Sequence, residues 1–151
     1  MFMKSIQSLC LIQSILMKTD LSNATFIIPI RIESDDRLRN VVTSIAFLVE
    51  NFDTNIIVKE VDKESVFQTE VLPIFEEILE VDLWKNFHHI FERSEEPLFH
   101  RQRVLNEMIA ECETDIVVNY DCDVILPMKS YELAYNGITE GIYDVVYPYG
   151  S

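Results

Sequence analysis

Two aspartates separated by one residue, Asp121 and Asp123, have the side chains and the spacing to bind a metal ion. They follow the apolar run 115–120 (DIVVNY), which predicts a buried strand. In an extended segment residues i and i+2 point to the same side, so both carboxylates can face one cation while Cys122 packs on the other side. Hard oxygen ligands suit Mg²⁺ or Mn²⁺, which also bind phosphate oxygens and water. We therefore predict a divalent-metal site that can bridge a diphosphate.

Two other interpretations of this Asp-x-Asp sequence remain open. One is a turn after a strand in which both carboxylates are only solvated. The other is phosphoryl transfer, because phosphatases of the haloacid dehalogenase type place Asp-x-Asp at a strand end, with the first Asp as the nucleophile. That motif opens its domain, whereas Asp123 lies late in this chain, and Ile125 stands where Thr or Val is usual. Both features disfavour the phosphatase interpretation.

Composition excludes several other ways of binding a phosphorylated ligand. The chain has 151 residues, a net charge of -14 and only three glycines, all of them from Gly137 onward. A P-loop or a dinucleotide-binding loop needs glycines just after an early strand, where the backbone must close on a phosphate. With 26 acidic and 12 basic residues, the chain also lacks the charge that nucleic-acid binding requires. A metal or a few specific arginines must then bind any phosphate.

The cysteines and the N-terminal sequence indicate the cellular location of the protein. Cys10, Cys112 and Cys122 have no metal-ligand spacing, which is typical of reduced thiols in a cytoplasmic protein. The mildly apolar stretch 1–19 is interrupted by polar residues, so we predict neither a transmembrane segment nor a signal peptide. We expect residues 1–22 to be an N-terminal extension that forms a loose helix, with Met17 as an alternative start.

The rest of the chain alternates strands and helices at a pitch typical of βαβ units. The predicted strands cover 24–30, 55–61, 86–91, 115–120 and 143–147. The predicted helices cover 34–51, 65–83, 98–112 and 129–136, and Pro73 should interrupt the second of them. We expect one three-layer α/β domain of the doubly wound type with a mostly parallel sheet. In such sheets ligands bind outside the carboxyl ends of the strands, where segments 29–31, 60–62 and 121–123 would meet.

A family resemblance enters through two spaced segments. Residues 99–106 (FHRQRVLN) lead through a helix and a strand into residues 121–128 (DCDVILPM). This resembles the core of the beta-1,4-galactosyltransferase family of GT-A-fold glycosyltransferases, in which Phe-x-Arg-x-x-x-Leu-Asn precedes the strand that ends in Asp-x-Asp and an apolar-Pro-Met turn. Residues 27–31 (IIPIR) resemble the family's Pro-Phe-Arg contact with uridine diphosphate. The resemblance implies a Rossmann-like GT-A domain for nucleotide-diphospho sugars.

The resemblance also implies roles for the matched residues in the nucleotide site. Pro29, Ile30 and Arg31 would line this site, with Arg31 reaching the diphosphate. Phe99 and Arg101 would flank the base and the phosphates. Independently of the family, arginine suits a diphosphate because its planar guanidinium donates two parallel hydrogen bonds.

For the acidic residues the implied roles concern the metal, the sugar and the base. Asp123 would be the direct ligand of Mn²⁺ or Mg²⁺, and Asp121 would assist it while approaching the ribose or the sugar. Glu60 and Asp62, at the end of the second strand, would contact uracil or ribose.

This sequence departs from the family pattern at several points. Glu33 stands where the family has a second arginine, so that phosphate contact is either missing or supplied by Arg37 or Arg39. Position 30 is Ile rather than Phe. Residues 23–151 would form a nucleotide-sugar-binding domain that lacks the acceptor half, and no catalytic base is identifiable.

Three hypotheses about function follow. The first is a glycosyltransferase donor half that transfers a hexosyl unit, with inversion, from a UDP-sugar to the hydroxyl of an unidentified acceptor. The second is a truncated or non-catalytic nucleotide-sugar-binding module, completed by a partner chain or by a homo-oligomer over its open C-terminal side. The third is the phosphatase. No nucleic-acid partner is expected.

Overall fold

The computed structural model describes residues 18–79 and 85–148. The strands are β1 (Thr19–Ile30), β2 (Phe52–Asp62), β3 (Phe87–Arg93) and β4 (Ile116–Asn119). The helices are α1 (Asp35–Asn51), α2 (Leu72–Ile78), α3 (Arg101–Ala110) and α4 (Met128–Thr139), and a π-helical turn, Phe67–Val71, runs directly into α2.

Within the described residues the four strands form one sheet in the order β3-β2-β1-β4, and every neighbouring pair is parallel. The chain moves outward from β1 to β2 and β3, then returns to the other side of β1 as β4. The predicted α/β class and parallel sheet are therefore confirmed. The change of direction between β1 and β4 opens a crevice at their carboxyl ends, the usual ligand position in such sheets.

Helices cover both faces of the sheet because β1 is apolar on both of its sides. Phe26 and Ile28 pack with α1, α2 and α4 in the larger core, which includes Ile45 of α1. Ile27 packs on the opposite face with Val104 of α3 in a smaller core. All five of these residues are at most 1 % exposed. A strand buried on both faces reads as a continuous apolar run, which is why 24–30 could be predicted.

Two predicted segments differ from the structure. β1 begins at Thr19, so residues 19–22 of the predicted extension belong to the central strand, while the predicted helix and the alternative start at Met17 lie outside the described residues. The predicted strand 143–147 is wrong. The N–H groups of Ile142 and Tyr143 donate to the C=O of Gly137, both at 3.0 Å, and this capping of α4 turns the chain away from the sheet.

The helix predicted over 65–83 is interrupted before Pro73, as expected. Proline has no N–H to donate and its ring crowds the preceding turn. The wider π-helical turn Phe67–Val71 lies just ahead of it, and α2 then continues to Ile78. Residues 80–83 of this prediction lie outside the described part of the chain. Across the segments described, no helix has the length and apolarity needed to cross a membrane.

Candidate functional site

The crevice at the carboxyl ends of β1 and β4 brings together residues from three parts of the chain. Arg31 follows β1, the segment 121–123 follows β4, and Arg101 begins α3. The strands fix their ends relative to one another because Phe26 is in register with Val118. The topology predicted from the sequence therefore places these groups at one edge.

Arg31 is the most buried of the arginines at this edge, with 8 % of the residue exposed. Its Nε donates to the C=O of Val61 at 2.8 Å and its Nη1 donates to the C=O of Pro97 at 3.0 Å. Its guanidinium carbon lies 5.6 Å from the centre of the Phe99 ring, in a cation–π contact. The third nitrogen, Nη2, is buried and has no acceptor anywhere in residues 18–79 and 85–148. A buried donor without a partner costs free energy that an anionic ligand can recover.

Phe99 links Arg31 to a second arginine. The N–H of Arg101 donates to the C=O of Phe99 at 2.9 Å, which starts α3 beside the ring. From there Arg101 Nη2 reaches Asp121 Oδ1 at 2.5 Å and Asn119 Oδ1 at 3.1 Å. The side chains of Arg101 and Asp121 are 41 % and 54 % exposed, so this pair is open to solvent at the mouth of the crevice.

The Asp-x-Asp segment is a tight turn, not the extended segment expected from the sequence. The N–H of Val124 donates to the C=O of Asp121 at 3.2 Å, which closes a four-residue turn. Cys122 nevertheless packs into the larger core as predicted, while Asp121 and Asp123 are exposed on the solvent side. Burial raises the pKa of the Cys122 thiol, and the negative charges of Asp123 and Asp121 act in the same direction. The thiol is therefore protonated at neutral pH.

A third arginine at this edge is Arg37, in the first turn of α1. Its positive charge acts to lower the pKa of the Cys122 thiol, in the direction opposite to burial. The Ser34 hydroxyl caps this helix by accepting the N–H of Arg37 at 3.2 Å. Arg39 instead forms an exposed ion pair with Asp36. Of the two arginines that the sequence left open, the structure favours Arg37.

The carboxylates at the turn fit a magnesium or manganese ion only as a partial ligand set. No group of three or more metal-ligating side chains occurs in the segments 18–79 and 85–148. Asp121 and Asp123 supply two hard oxygen donors, and Mg²⁺ is commonly held by one or two carboxylates together with phosphates and water. The donor set therefore suits a metal that arrives with a phosphorylated ligand.

Glu60 and Ile30, which the resemblance assigned to the nucleotide site, lie on the other face of the sheet. Ile30 is 2 % exposed and packs in the larger core. Glu60 is fully buried, and its carboxylate accepts the N–H groups of Val66 at 2.9 Å and Phe67 at 3.1 Å and the hydroxyl of Ser65 at 2.5 Å. Its oxygens therefore bind the start of the π-helical turn, and we leave both residues out of the proposed site.

The environment of Glu60 keeps it ionised. Burial acts to raise the pKa of Glu60, but the His89 imidazole, the Ser65 hydroxyl and the Phe67 N–H outweigh it and hold that pKa below its ordinary range. His89 is itself buried, with Nε2 3.4 Å from the carboxylate and its ring stacked on Phe67 at 4.3 Å between centroids. This structural role of Glu60 was missed by sequence reasoning.

Pro29 and Asp62 lie near the crevice without a resolved function. The N–H of Tyr120 donates to the C=O of Ile27, so the backbone of β1 at Ile27 and Pro29 faces the β4 side. β4 ends at Asn119, so Pro29 costs no ladder hydrogen bond, as its position near a strand end suggested. Asp62 is half-buried at the end of β2, and its carboxylate accepts the N–H of Lys63 at 2.7 Å.

Comparisons with protein-family models, curated proteins and solved structures gave no match to this chain. The fold itself defines the class of protein: an α/β domain with a parallel sheet whose strand order is Rossmann-like. The candidate site must be argued from its own residues.

Proposed function

We propose that this domain binds a nucleotide-diphospho sugar, a UDP-sugar by preference, as the donor site of a GT-A-type glycosyltransferase. The observation that carries the proposal is the buried Nη2 of Arg31, which has no acceptor in the described residues. Its guanidinium lies over Phe99, whose C=O accepts the N–H of Arg101, the arginine of the open Arg101–Asp121 pair. A diphosphate at this crevice would accept the unsatisfied hydrogen bond. The spacing of Arg31, Phe99, Arg101 and Asp121 in the sequence supports the same family of ligands.

Three arginines, Arg31, Arg37 and Arg101, come from segments next to the carboxyl ends of β1 and β4. In a chain with a net charge of -14, an anionic ligand meets an unfavourable overall field, so local cations must bind it. Arginine donates paired hydrogen bonds to phosphate oxygens, and Phe99 offers an aromatic face beside them. We assign the phosphates to the arginines and the base to the side of Phe99.

Asp121 and Asp123 would hold Mn²⁺ or Mg²⁺ between the turn and the diphosphate. The ion would supply positive charge against the negative charge that develops on a departing diphosphate. Arg101 orients the Asp121 carboxylate through the hydrogen bond from Nη2 to Oδ1, and the same Nη2 also donates to Asn119 Oδ1. These contacts prepare the carboxylate before the ligand binds.

The reaction class would be transfer of a hexosyl unit to an acceptor hydroxyl with inversion, which needs a base to deprotonate that hydroxyl. Nothing in the described segments assigns a carboxylate or histidine to that task. A binding module that a partner chain completes therefore remains the second candidate. The phosphatase is the third, and the Arg101–Asp121 pair disfavours it because a nucleophilic carboxylate must approach phosphorus unobstructed.

Isothermal titration of the full chain with UDP, with and without Mn²⁺, tests the donor site. We expect metal-dependent binding, a loss of at least about tenfold in affinity for Asp123→Asn, and a similar loss for Arg31→Lys, because each removes about 1.4 kcal/mol or more of ligand interaction. Asp144→Asn is the matched control, since it removes one exposed carboxylate away from the crevice. Binding that ignores both the metal and Asp123→Asn would overturn the proposal.

A second assay distinguishes an enzyme from a module. Release of UDP from a panel of UDP-hexoses, with water or a simple alcohol as acceptor, measures turnover. Turnover that Asp123→Asn abolishes supports the transferase. Metal-dependent UDP binding without turnover for any sugar supports the module. Hydrolysis of a phosphate monoester that Asp121→Asn abolishes would support the phosphatase instead.

A further inference from the structure

The outer edge of the sheet carries an apolar groove that meets the proposed donor site only at one end, near Asn119 and Asp121. The groove has a volume of about 480 Å³ and lies between β4, α4 and the segment 145–148. Its floor includes Phe26 and Val118 of the sheet, and Tyr135 and Ile138 of α4 form one side. It runs along the whole of β4, from Ile116 to Asp121 beyond its end.

The backbone of β4 presents hydrogen-bonding groups along this groove. The N–H of Tyr120 donates to the C=O of Ile27 in β1. Because backbone groups alternate between the two sides of a strand, the N–H and C=O of Val117 and Asn119 point away from β1. β4 is the last strand of the sheet on this side among the described residues. An edge of this kind is a template for an added strand.

The rim of the groove exposes large apolar side chains. Tyr147 is 81 % exposed, Val145 is 69 % exposed and Val117 is 38 % exposed. Together they flank the free edge of β4 and the mouth of the groove. A contiguous exposed apolar surface beside unpaired strand backbone marks a protein interaction site.

Charge identifies the kind of partner. Residues 111–148 include β4, α4 and the segment 145–148, which surround the groove. They contain eight acidic residues and a single basic one, Lys129. A second copy of this chain would bring the same acidic surface to the contact, so like charges would oppose pairing. A segment flanked by lysine or arginine would be attracted to it.

We infer that β4 and this groove bind an extended polypeptide segment of another protein, with alternate apolar side chains in the groove and basic residues at both ends. The segment pairs with the backbone of Val117 and Asn119, and its apolar side chains enter between β4 and α4. Tyr147 and Val145, in the segment 145–148, cover the bound segment. The inference does not depend on the nucleotide-sugar proposal, because it uses none of the three arginines at the crevice.

The test uses designed fluorescent peptides with the full chain. The first peptide, KKTVTVTVKK, carries alternate valines between pairs of lysines. The second, EETVTVTVEE, keeps the apolar pattern and reverses the charge. The third, KKTVPVPVKK, keeps the charge and the valines but places prolines where strand pairing needs N–H groups. Fluorescence anisotropy at two salt concentrations measures their affinities.

We expect the first peptide to bind, and the second and third to bind at least about tenfold more weakly, because each lacks either the charge attraction or the backbone pairing. Val145→Ser and Tyr147→Ser should each weaken binding of the first peptide about tenfold, from the loss of buried apolar area. Both positions are exposed outside helices and strands, so the fold tolerates the change. Ile109→Ser, at an apolar position on α3 that is 49 % exposed, is the control and should bind like the wild type.

Hydrogen exchange adds an independent measure of pairing. The first peptide should slow exchange at the amides of Val117 and Asn119, while UDP binding at the crevice is unchanged by Val145→Ser. Three results would overturn the inference. They are equal binding of all three peptides, no binding of the first, and a self-associated chain in sedimentation that Val145→Ser and Tyr147→Ser convert to monomer.

Discussion

Replacing Glu60 by alanine tests whether a buried carboxylate holds the start of the π-helical turn in place. Glu60 is fully buried and accepts the N–H groups of Val66 and Phe67 together with the Ser65 hydroxyl. These three residues begin the π-helical turn that leads into α2. Alanine has no acceptor, so the two N–H groups would remain buried without a partner.

The expected loss can be worked out from these contacts. A buried donor without an acceptor costs about 1–3 kcal/mol, and two of them together with the vacated side-chain volume give about 3–5 kcal/mol for Glu60→Ala. Glu60→Gln keeps one oxygen in place and should cost about 1–2 kcal/mol. Because small domains have about 5–15 kcal/mol of total stability, the alanine variant should lose a large share of that total.

Urea denaturation followed by circular dichroism measures both variants. Glu64→Ala, which removes an exposed carboxylate from the same loop, is the matched control and should stay within about 0.5 kcal/mol of the wild type. A Glu60→Ala protein as stable as the control would refute the argument that these N–H groups depend on the carboxylate.

The dependence on pH gives a second test with a definite sign. The pKa of Glu60 is lowered from 4.5 in the folded protein, so its charged form contributes stability that is present above the ordinary pKa and is lost as pH falls through the lowered value. The difference in free energy of unfolding between wild type and Glu60→Gln should therefore be constant near neutral pH and shrink below pH 4.5. A difference that stays the same down to about pH 3 would contradict the ionised carboxylate.

Two further substitutions have expected outcomes. Arg101→Ala breaks a half-exposed ion pair, so it should change the free energy of unfolding by less than about 1 kcal/mol. It should nevertheless weaken metal-dependent UDP binding. Arg39→Ala also breaks an exposed ion pair and should leave UDP binding unchanged. Equal effects of the two on UDP binding would argue against a specific role. Gly141 has φ of 68° and open space around its Cβ position, so Gly141→Ala should cost about 1 kcal/mol from backbone strain alone and Gly141→Asn less, as urea denaturation would show. No difference between the two would mean that the turn relaxes.

The sequence predicted the order and type of elements well where the signals were local. Ser34 and the apolar spacing after it located α1 over Asp35–Asn51, since a cap and a helical period act within one segment. Segment 143–147 has strand-like residues, but forming a strand depends on a neighbour to pair with. The capping of α4 through Gly137 removes it from the sheet. Whether 143–147 pairs as a strand or caps α4 depends on other parts of the chain, so the residues of the segment alone do not predict it.

The sequence placed the candidate residues at the carboxyl edge of the sheet but did not separate its two faces. In a parallel sheet covered on both sides, strands are apolar throughout and lack the alternation that would mark one face as buried and the other as open. Glu60 and Arg31 both follow apolar runs, and nothing local distinguishes the residue that faces α1 and α2 from the one that faces α3. The contacts of Arg31 with Val61 and Pro97 come from segments distant in sequence.

Two buried charged side chains near this edge, Glu60 and Arg31, therefore give different indications of function. The carboxylate of Glu60 is surrounded by donors that belong to its own fold, so its burial is balanced within the domain. The guanidinium of Arg31 donates to two backbone carbonyls and keeps a third nitrogen buried without an acceptor in the described segments. A charge used only for stability gains from every available hydrogen bond, because an unmet buried donor lowers stability. The unmet bond of Arg31 is thus the stronger sign of a ligand, and an anion bound there should raise the stability of the wild type more than that of Arg31→Lys.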